Sequence, residues 1–221
     1  MGVRSVMLRN PVGLSYAVVA LLAALAVADV ALFAAAVDVR LLMTGSLKDH
    51  PDPAGFGHMG VDIASALQIV VQLALVVVFI VWFHRVRKNA EVFAPDVHRG
   101  GPGWAIGAWF VPIAGFWWPR SVAVGTWRAS RRDPYGDGKG EGESFAVLNW
   151  WWTFWVLTDV MSLFASAVYD DADTVEEFAA GAGLLMGAAV LDIVAIALAI
   201  RFVRRLTSMQ HAKATGMIPA A

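Results

Sequence analysis

The chain has 221 residues, of which 58% are hydrophobic and only 16% are charged, and its formal net charge at pH 7 is −1. Soluble domains carry about 25% charged residues, so this composition excludes an ordinary soluble protein and indicates an integral membrane protein. The absence of cysteine excludes disulfides, thiolate metal sites and a cysteine nucleophile.

Four long apolar runs predict four membrane-spanning helices. They cover about residues 12–37, 61–83, 144–168 and 179–200. The first run follows two arginines as a secretory signal would, but its apolar length of about 25 residues suits a spanning helix better. The sequence therefore predicts an all-α fold, an integral membrane four-helix bundle that forms a single membrane domain over residues 1–221.

An apolar, tryptophan-rich segment at residues 102–130 separates the second and third spans. Pro112 lies at the centre of its apolar run and Pro119 ends that run. Proline removes a backbone donor and clashes with the preceding helical turn, so a continuous spanning helix is not expected. We predict a re-entrant or interfacial element here, followed by a flexible glycine-rich linker at residues 133–143.

The distribution of basic residues predicts the orientation. If four segments span and residues 102–130 do not, 15 of the 17 Lys and Arg residues lie on one side of the membrane. If the run before Pro119 also spans, the division becomes six against eleven. Lys and Arg are enriched in cytoplasmic loops, so the four-span arrangement is favoured, with both termini cytoplasmic. The predicted localisation is the cell membrane of a bacterium, as a multi-pass protein.

The central stretch resembles a bacterial membrane family known as domain of unknown function 4328. The similarity covers roughly residues 60–205 and is most specific in RVRKNAEVF and PGWAIGAWFVPIAGFWWP. The pattern comprises Asn89, Gly103, Trp104, Trp109, Pro112, Ile113, Pro119 and Trp127. Where the family pattern has Asn after Pro-Ile-Ala, this chain has Gly115. The resemblance implies a multi-span membrane protein and brings no activity with it.

Polar side chains within the apolar runs form the first candidate site, a polar or ion site. Helix rise places most of them within roughly 5 Å of a common depth, whereas Gln68 falls outside it. The candidate residues are Asp29, Gln72, Asp159 and Asp192. They predict either a proton or cation site between helices or hydrogen bonds that hold the helices together. The stripe of Asp62, Ser65, Gln68 and Gln72 at helical spacing predicts a face of the second helix that packs on a neighbour.

The second candidate site is interfacial and would take a ligand or lipid. Its residues are Asn89, Trp104, Trp109, Pro112, Pro119, Arg120 and Trp127. Irregular backbone at membrane depth lines binding sites in some proteins, and Arg120 would be available to a lipid phosphate or another anion. The alternative is a pair of interfacial helices that Trp side chains anchor.

No motif in the sequence predicts catalysis, a metal or a cofactor. HExxH, GxSxG, Walker A and Rossmann patterns are absent, as are paired intramembrane histidines for haem. We therefore expect a non-enzymatic structural or regulatory membrane component, with no catalytic residues. The alternatives are a small transporter or channel that uses the intramembrane Asp residues, and a lipid-interacting enzyme at the Trp-rich face. Expected partners are the bilayer, with anionic lipids at the cytoplasmic face, and a membrane protein partner or a second copy, but no nucleic acid.

Overall fold

The computed structural model describes residues 8–45, 53–98, 100–137 and 144–216, with side chains for all of these except residues 53–58. The described residues form helices and no strands. The six α-helices are α1 (Val12–Thr44), α2 (Pro53–Phe93), α3 (Trp104–Gly107), α4 (Trp118–Ser130), α5 (Ala146–Asp170) and α6 (Val175–Ala214). Two short 3-10 turns lie at Pro95–Val97 and Ala114–Phe116.

The predicted all-α membrane fold is confirmed, because α1, α2, α5 and α6 are each long and apolar enough to cross a bilayer. Three of them extend well beyond the predicted spans. With 41 and 40 residues, α2 and α6 are about 60 Å long, roughly twice the thickness of the hydrocarbon core. The prediction ended each span where the apolar run ended. At the C-terminal ends of α2 and α6 the flanking Glu, Arg, Lys and Gln residues are good helix formers, so these helices continue.

The described residues form two compact units. We call the first the aromatic unit, which is drawn from residues 1–20, 75–149 and 199–221, and the second the span unit, which is drawn from residues 21–74 and 150–198. The single membrane domain over residues 1–221 stays a prediction. Each candidate site lies within one unit: the intramembrane polar residues in the span unit, and the Trp and Pro residues in the aromatic unit.

Small side chains let the helices of the span unit approach closely. Its buried core combines alanines from all four helices with larger residues such as Leu32 and Leu185. A Cβ atom on Gly181 would lie 2.9 Å from the Cα of Tyr169, so only glycine fits at this contact between α5 and α6. Arg40 donates from Nη1 to the carbonyl oxygen of Ala179 at 2.8 Å, across α1 and α6. Close packing of this kind is how membrane helices associate without a hydrophobic driving force.

Large aromatic side chains fill the core of the aromatic unit. The ring of Trp127 on α4 is stacked on Phe202 of α6, with centroids 5.8 Å apart. Trp82 on α2 meets the same phenylalanine edge-on and donates from Nε1 to the Thr207 hydroxyl at 3.2 Å. Both tryptophans are fully buried. This core joins α2, α4 and α6 and fixes the position of α4.

The prolines break the segment at residues 102–130, as the sequence predicts. Ile113 has φ 64° and ψ −55°, and the Ala114 N–H donates to the carbonyl oxygen of Pro112 at 2.6 Å. This is the rare form of γ-turn, which strains a β-branched residue. Pro119 lies in the first turn of α4, where its missing N–H costs nothing. None of the four long apolar helices lies in this segment. Part of the predicted linker, residues 138–143, lies outside the described residues.

Candidate functional sites

A carboxyl cluster lies where the four helices of the span unit meet. The Asp29 side chain on α1 is buried, and its Oδ1 accepts a hydrogen bond from Nε2 of Gln68 on α2 at 2.6 Å. The carboxyl group of Asp192 on α6 is close enough to interact electrostatically with Asp29 and with Asp159 on α5. We call Asp29, Gln68, Asp159 and Asp192 the carboxyl cluster. All four long helices contribute to it.

The structure brings together three of the four residues proposed for this site, namely Asp29, Asp159 and Asp192. Gln72 lies one helical turn beyond Gln68 and is half-buried. The argument from depth in the membrane wrongly excluded Gln68 from this site. Asp29 and Gln68 are each displaced about four residues from the midpoints of their predicted spans, and the spans run in opposite directions, so both lie toward the same side of the membrane. The polar stripe on α2 was the signal that could have identified Gln68.

The arrangement of the carboxyl cluster would let two carboxyl groups share a proton. Oδ2 of Asp29 is buried and has no hydrogen-bond partner among the described residues. Two neighbouring carboxyl groups in a medium of low polarity do not both ionise readily, so protonation of one lets it donate a hydrogen bond to the other. Within the described residues, no group of three His, Asp or Glu side chains could hold a metal ion. Of the three aspartates in the cluster, Asp159 is exposed on the protein surface.

Asn89 is the centre of a buried polar network in the aromatic unit. Its Nδ2 donates to the carbonyl oxygen of Arg9 at 2.8 Å and to Oε1 of Gln210 at 3.1 Å. Its Oδ1 accepts from the backbone N–H of Arg9 at 2.9 Å. The amide therefore pairs with the backbone of the N-terminal segment and, at the same time, with α6. This geometry assigns Asn89 a structural role.

Gln210 and Lys213 extend this network to α4. Gln210 donates from Nε2 to the carbonyl oxygen of Val86 at 2.8 Å and to the hydroxyl of Ser130 at 3.0 Å. Lys213 donates from Nζ to the carbonyl oxygen of Ala129 at 3.2 Å. Sequence reasoning missed both residues, because the stretch after the last span reads as a short polar tail. In the structure it is the last part of α6, and both side chains are buried.

The segment directly before α4, residues 104–117, forms an apolar hairpin that carries several Trp side chains and a Pro. We call it the exposed hairpin. Trp109 meets Phe79 and Phe83 of α2 edge-on, at centroid distances of 5.8 and 6.4 Å. Trp104 meets Trp118 edge-on at 5.0 Å, which brings the two ends of the hairpin together. Between them, Ile113 is 74% exposed at the strained turn that follows the exposed Pro112. Because Phe79 lies within a predicted span, this contact favours the re-entrant form of the element.

The remaining members of the second candidate site are buried or hydrogen-bonded within the aromatic unit. Trp127 and Pro119 are buried in the aromatic unit. Arg120 is half-buried, and its Nη2 donates to Oδ1 of Asn149 at 2.7 Å. The structure therefore separates the predicted set into an exposed hairpin, a buried core and an arginine that already has a protein partner.

Comparison with known proteins leaves the activity open. Neither the curated proteins nor the solved structures give a match to this chain. A protein-family model described as "Domain of unknown function (DUF4328)" matches residues 46–208. Because that match covers well over half of the sequence, the chain belongs to the DUF4328 family.

Proposed function

We propose that this protein is a non-enzymatic structural or regulatory component of a bacterial inner membrane. The observation that carries the proposal is that its buried polar side chains form hydrogen bonds between helices. Asn89 and Gln210 join the N-terminal segment, α2, α4 and α6, and Gln68 joins α2 to Asp29 of α1. Hydrogen bonds of this kind fix the arrangement of helices rather than present reactive groups to a substrate.

The proposal includes an orientation and a set of partners. The excess of basic residues on one side supports an orientation in which both termini, the exposed hairpin and α4 lie at the cytoplasmic face. The exposed rings of Trp104, Phe110 and Trp117 suit insertion among lipids, and nearby arginines suit anionic lipids. A regulatory role would also require binding to a membrane protein partner or to a second copy of the chain.

A second candidate function is transport of a proton or cation, and the carboxyl cluster favours it. Ionisable residues within spans are expensive and are often part of an ion pathway. Here the carboxyl group of Asp192 lies near those of Asp29 and Asp159, and Asp159 is exposed on the protein surface. Such an arrangement could pass a proton from one carboxyl group to the next.

Ion flux in proteoliposomes distinguishes the two candidates. We expect the purified protein to give no proton or potassium flux above that of empty liposomes, and we expect no change in the isosteric variants Asp159→Asn and Asp192→Asn. The matched control is Asp38→Asn, the same substitution at an exposed position of α1. A flux that is present in the wild type and in the control, but absent in Asp192→Asn, would overturn the structural proposal and establish the transporter.

A further inference from the structure

A cavity of about 250 Å³ lies in the aromatic unit, between the end of α2 and α4. It is smaller than the roughly 300–1,000 Å³ typical of pockets for drug-sized ligands, so it suits a small polar group. The residues that matter for its chemistry are Arg87, His98, Trp104, Ser121, Gly125 and Arg128. Gly125 lets α4 approach His98 closely at the cavity wall, because a Cβ atom there would lie 3.2 Å from Nδ1 of the imidazole.

Arg87 is a buried cation with unused hydrogen-bonding capacity. The residue is 2% exposed, and its Nη2 donates to the carbonyl oxygen of Gly100 at 2.8 Å and lies 3.3 Å from Oε1 of Glu91. Its Nη1 is also buried, and it has no hydrogen-bond partner among the described residues. A buried donor without a partner costs about 1–3 kcal/mol, more when it is charged, which a bound acceptor would recover. The guanidinium group of Arg87 can therefore donate a further hydrogen bond to an anion bound in the cavity.

The remaining charges around the cavity favour an anion as well. Arg128 is exposed on α4 and adds a second guanidinium group from a different element. Burial and the positive charge of Arg87 lower the pKa of His98, whereas the hydrogen bond to the Ala90 backbone and the charge of Glu91 raise it. His98 Nε2 is buried and, in the described part of the chain, has no partner.

We infer that this cavity binds a phosphate group, held between Arg87 and Arg128. A guanidinium group presents parallel N–H donors that match phosphate oxygens, and the cavity offers two such groups, from α2 and α4. Ser121 supplies a hydroxyl group at the same wall. The phosphate belongs either to a lipid headgroup, which Trp104 and the exposed hairpin would bring near the membrane interface, or to a small soluble molecule.

Binding measurements on the purified, delipidated protein test this inference. One arm titrates inorganic phosphate into the detergent-solubilised protein and follows binding by calorimetry. The other arm compares thermal stability in nanodiscs of phosphatidylglycerol with that in nanodiscs of phosphatidylcholine. Arg128→Gln is the test variant, because the Arg128 side chain is exposed on α4 and surface substitutions usually leave the fold intact. Arg204→Gln is the matched control, with the same loss of charge at an exposed position of α6 that does not line the cavity.

We expect Arg128→Gln to weaken phosphate binding about tenfold or more, or to abolish the stabilisation by phosphatidylglycerol, while Arg204→Gln matches the wild type. An effect in the first arm alone identifies a soluble phosphate ligand, and an effect in the second arm alone identifies a lipid headgroup. If neither arm shows binding by the wild type, or if both variants lose it equally, the inference is wrong.

Discussion

Replacing Trp127 with alanine is expected to lower the free energy of unfolding by about 3–5 kcal/mol. The indole is 1% exposed and is stacked on Phe202, so its removal leaves a cavity where α4 packs on α6. Deletion of a buried aromatic side chain loses the free energy of burying that side chain. It also loses the van der Waals contacts that the neighbouring atoms made with the side chain. Reversible unfolding in mixed detergent micelles, followed by circular dichroism, would measure the change.

Trp117→Ala is the matched control for this prediction. It removes the same side chain from the exposed hairpin, where the indole is 54% exposed. We expect its free energy of unfolding in detergent to fall by less than about 1 kcal/mol, in line with surface substitutions. Equal losses for the two variants would mean that Trp127 does not belong to the core as described.

The Asn89→Ala variant is expected to lose about 2–4 kcal/mol of stability. The substitution leaves the N–H and carbonyl oxygen of Arg9, and Oε1 of Gln210, without their present partner. A buried polar group that loses its partner costs about 1–3 kcal/mol, and water reaches the partly buried Arg9 more easily than Gln210. The same unfolding assay applies. Limited proteolysis of the N-terminal segment, which should become faster, gives an independent readout.

Asn149→Ala provides the comparison for Asn89. That asparagine also bonds to a neighbouring side chain, Arg120, but it is exposed. Solvent can replace its hydrogen bond, so we expect a change of less than about 1 kcal/mol. A loss at position 149 as large as that at position 89 would argue against the role of burial. If Asn89→Ala loses no stability, the hydrogen-bond network around Asn89 does not stabilise the fold as proposed.

The parts of the fold that depend on long apolar runs and on proline could be predicted from the sequence. Burial of the backbone in lipid requires helices, and Pro112 and Pro119 prevent one at residues 102–130, so the architecture follows from composition and local chemistry. The structure confirms these predictions and extends α2 and α6 beyond them. Helix ends were harder to predict, because polar helix formers carry no signal that the helix has ended.

The candidate sites were harder to predict because they depend on which residues meet. Asp29, Asp159 and Asp192 stood out because charge is rare within a span. The pairing of Asp29 with Gln68, however, depends on helix register, which the sequence does not display. Gln210 looked like part of a polar tail, but it lies on α6 and is buried against α2 and α4. Arg87 looked like one of several basic residues after a span, and only the packing of α4 shows the cavity beside it.

In the proposed topology, four helices span the membrane and residues 102–130 lie on the same side as the C-terminus. Single cysteines in this naturally cysteine-free chain test it, at the exposed positions Thr44, Asp137, Asp173 and Thr215. A membrane-impermeant maleimide applied to intact cells should label the variants at Thr44 and Asp173, and should reach Asp137 and Thr215 only after lysis. Labelling of Asp137 and Thr215 in intact cells, with Asp173 protected, would show that the proline-broken segment crosses the membrane and would contradict the account.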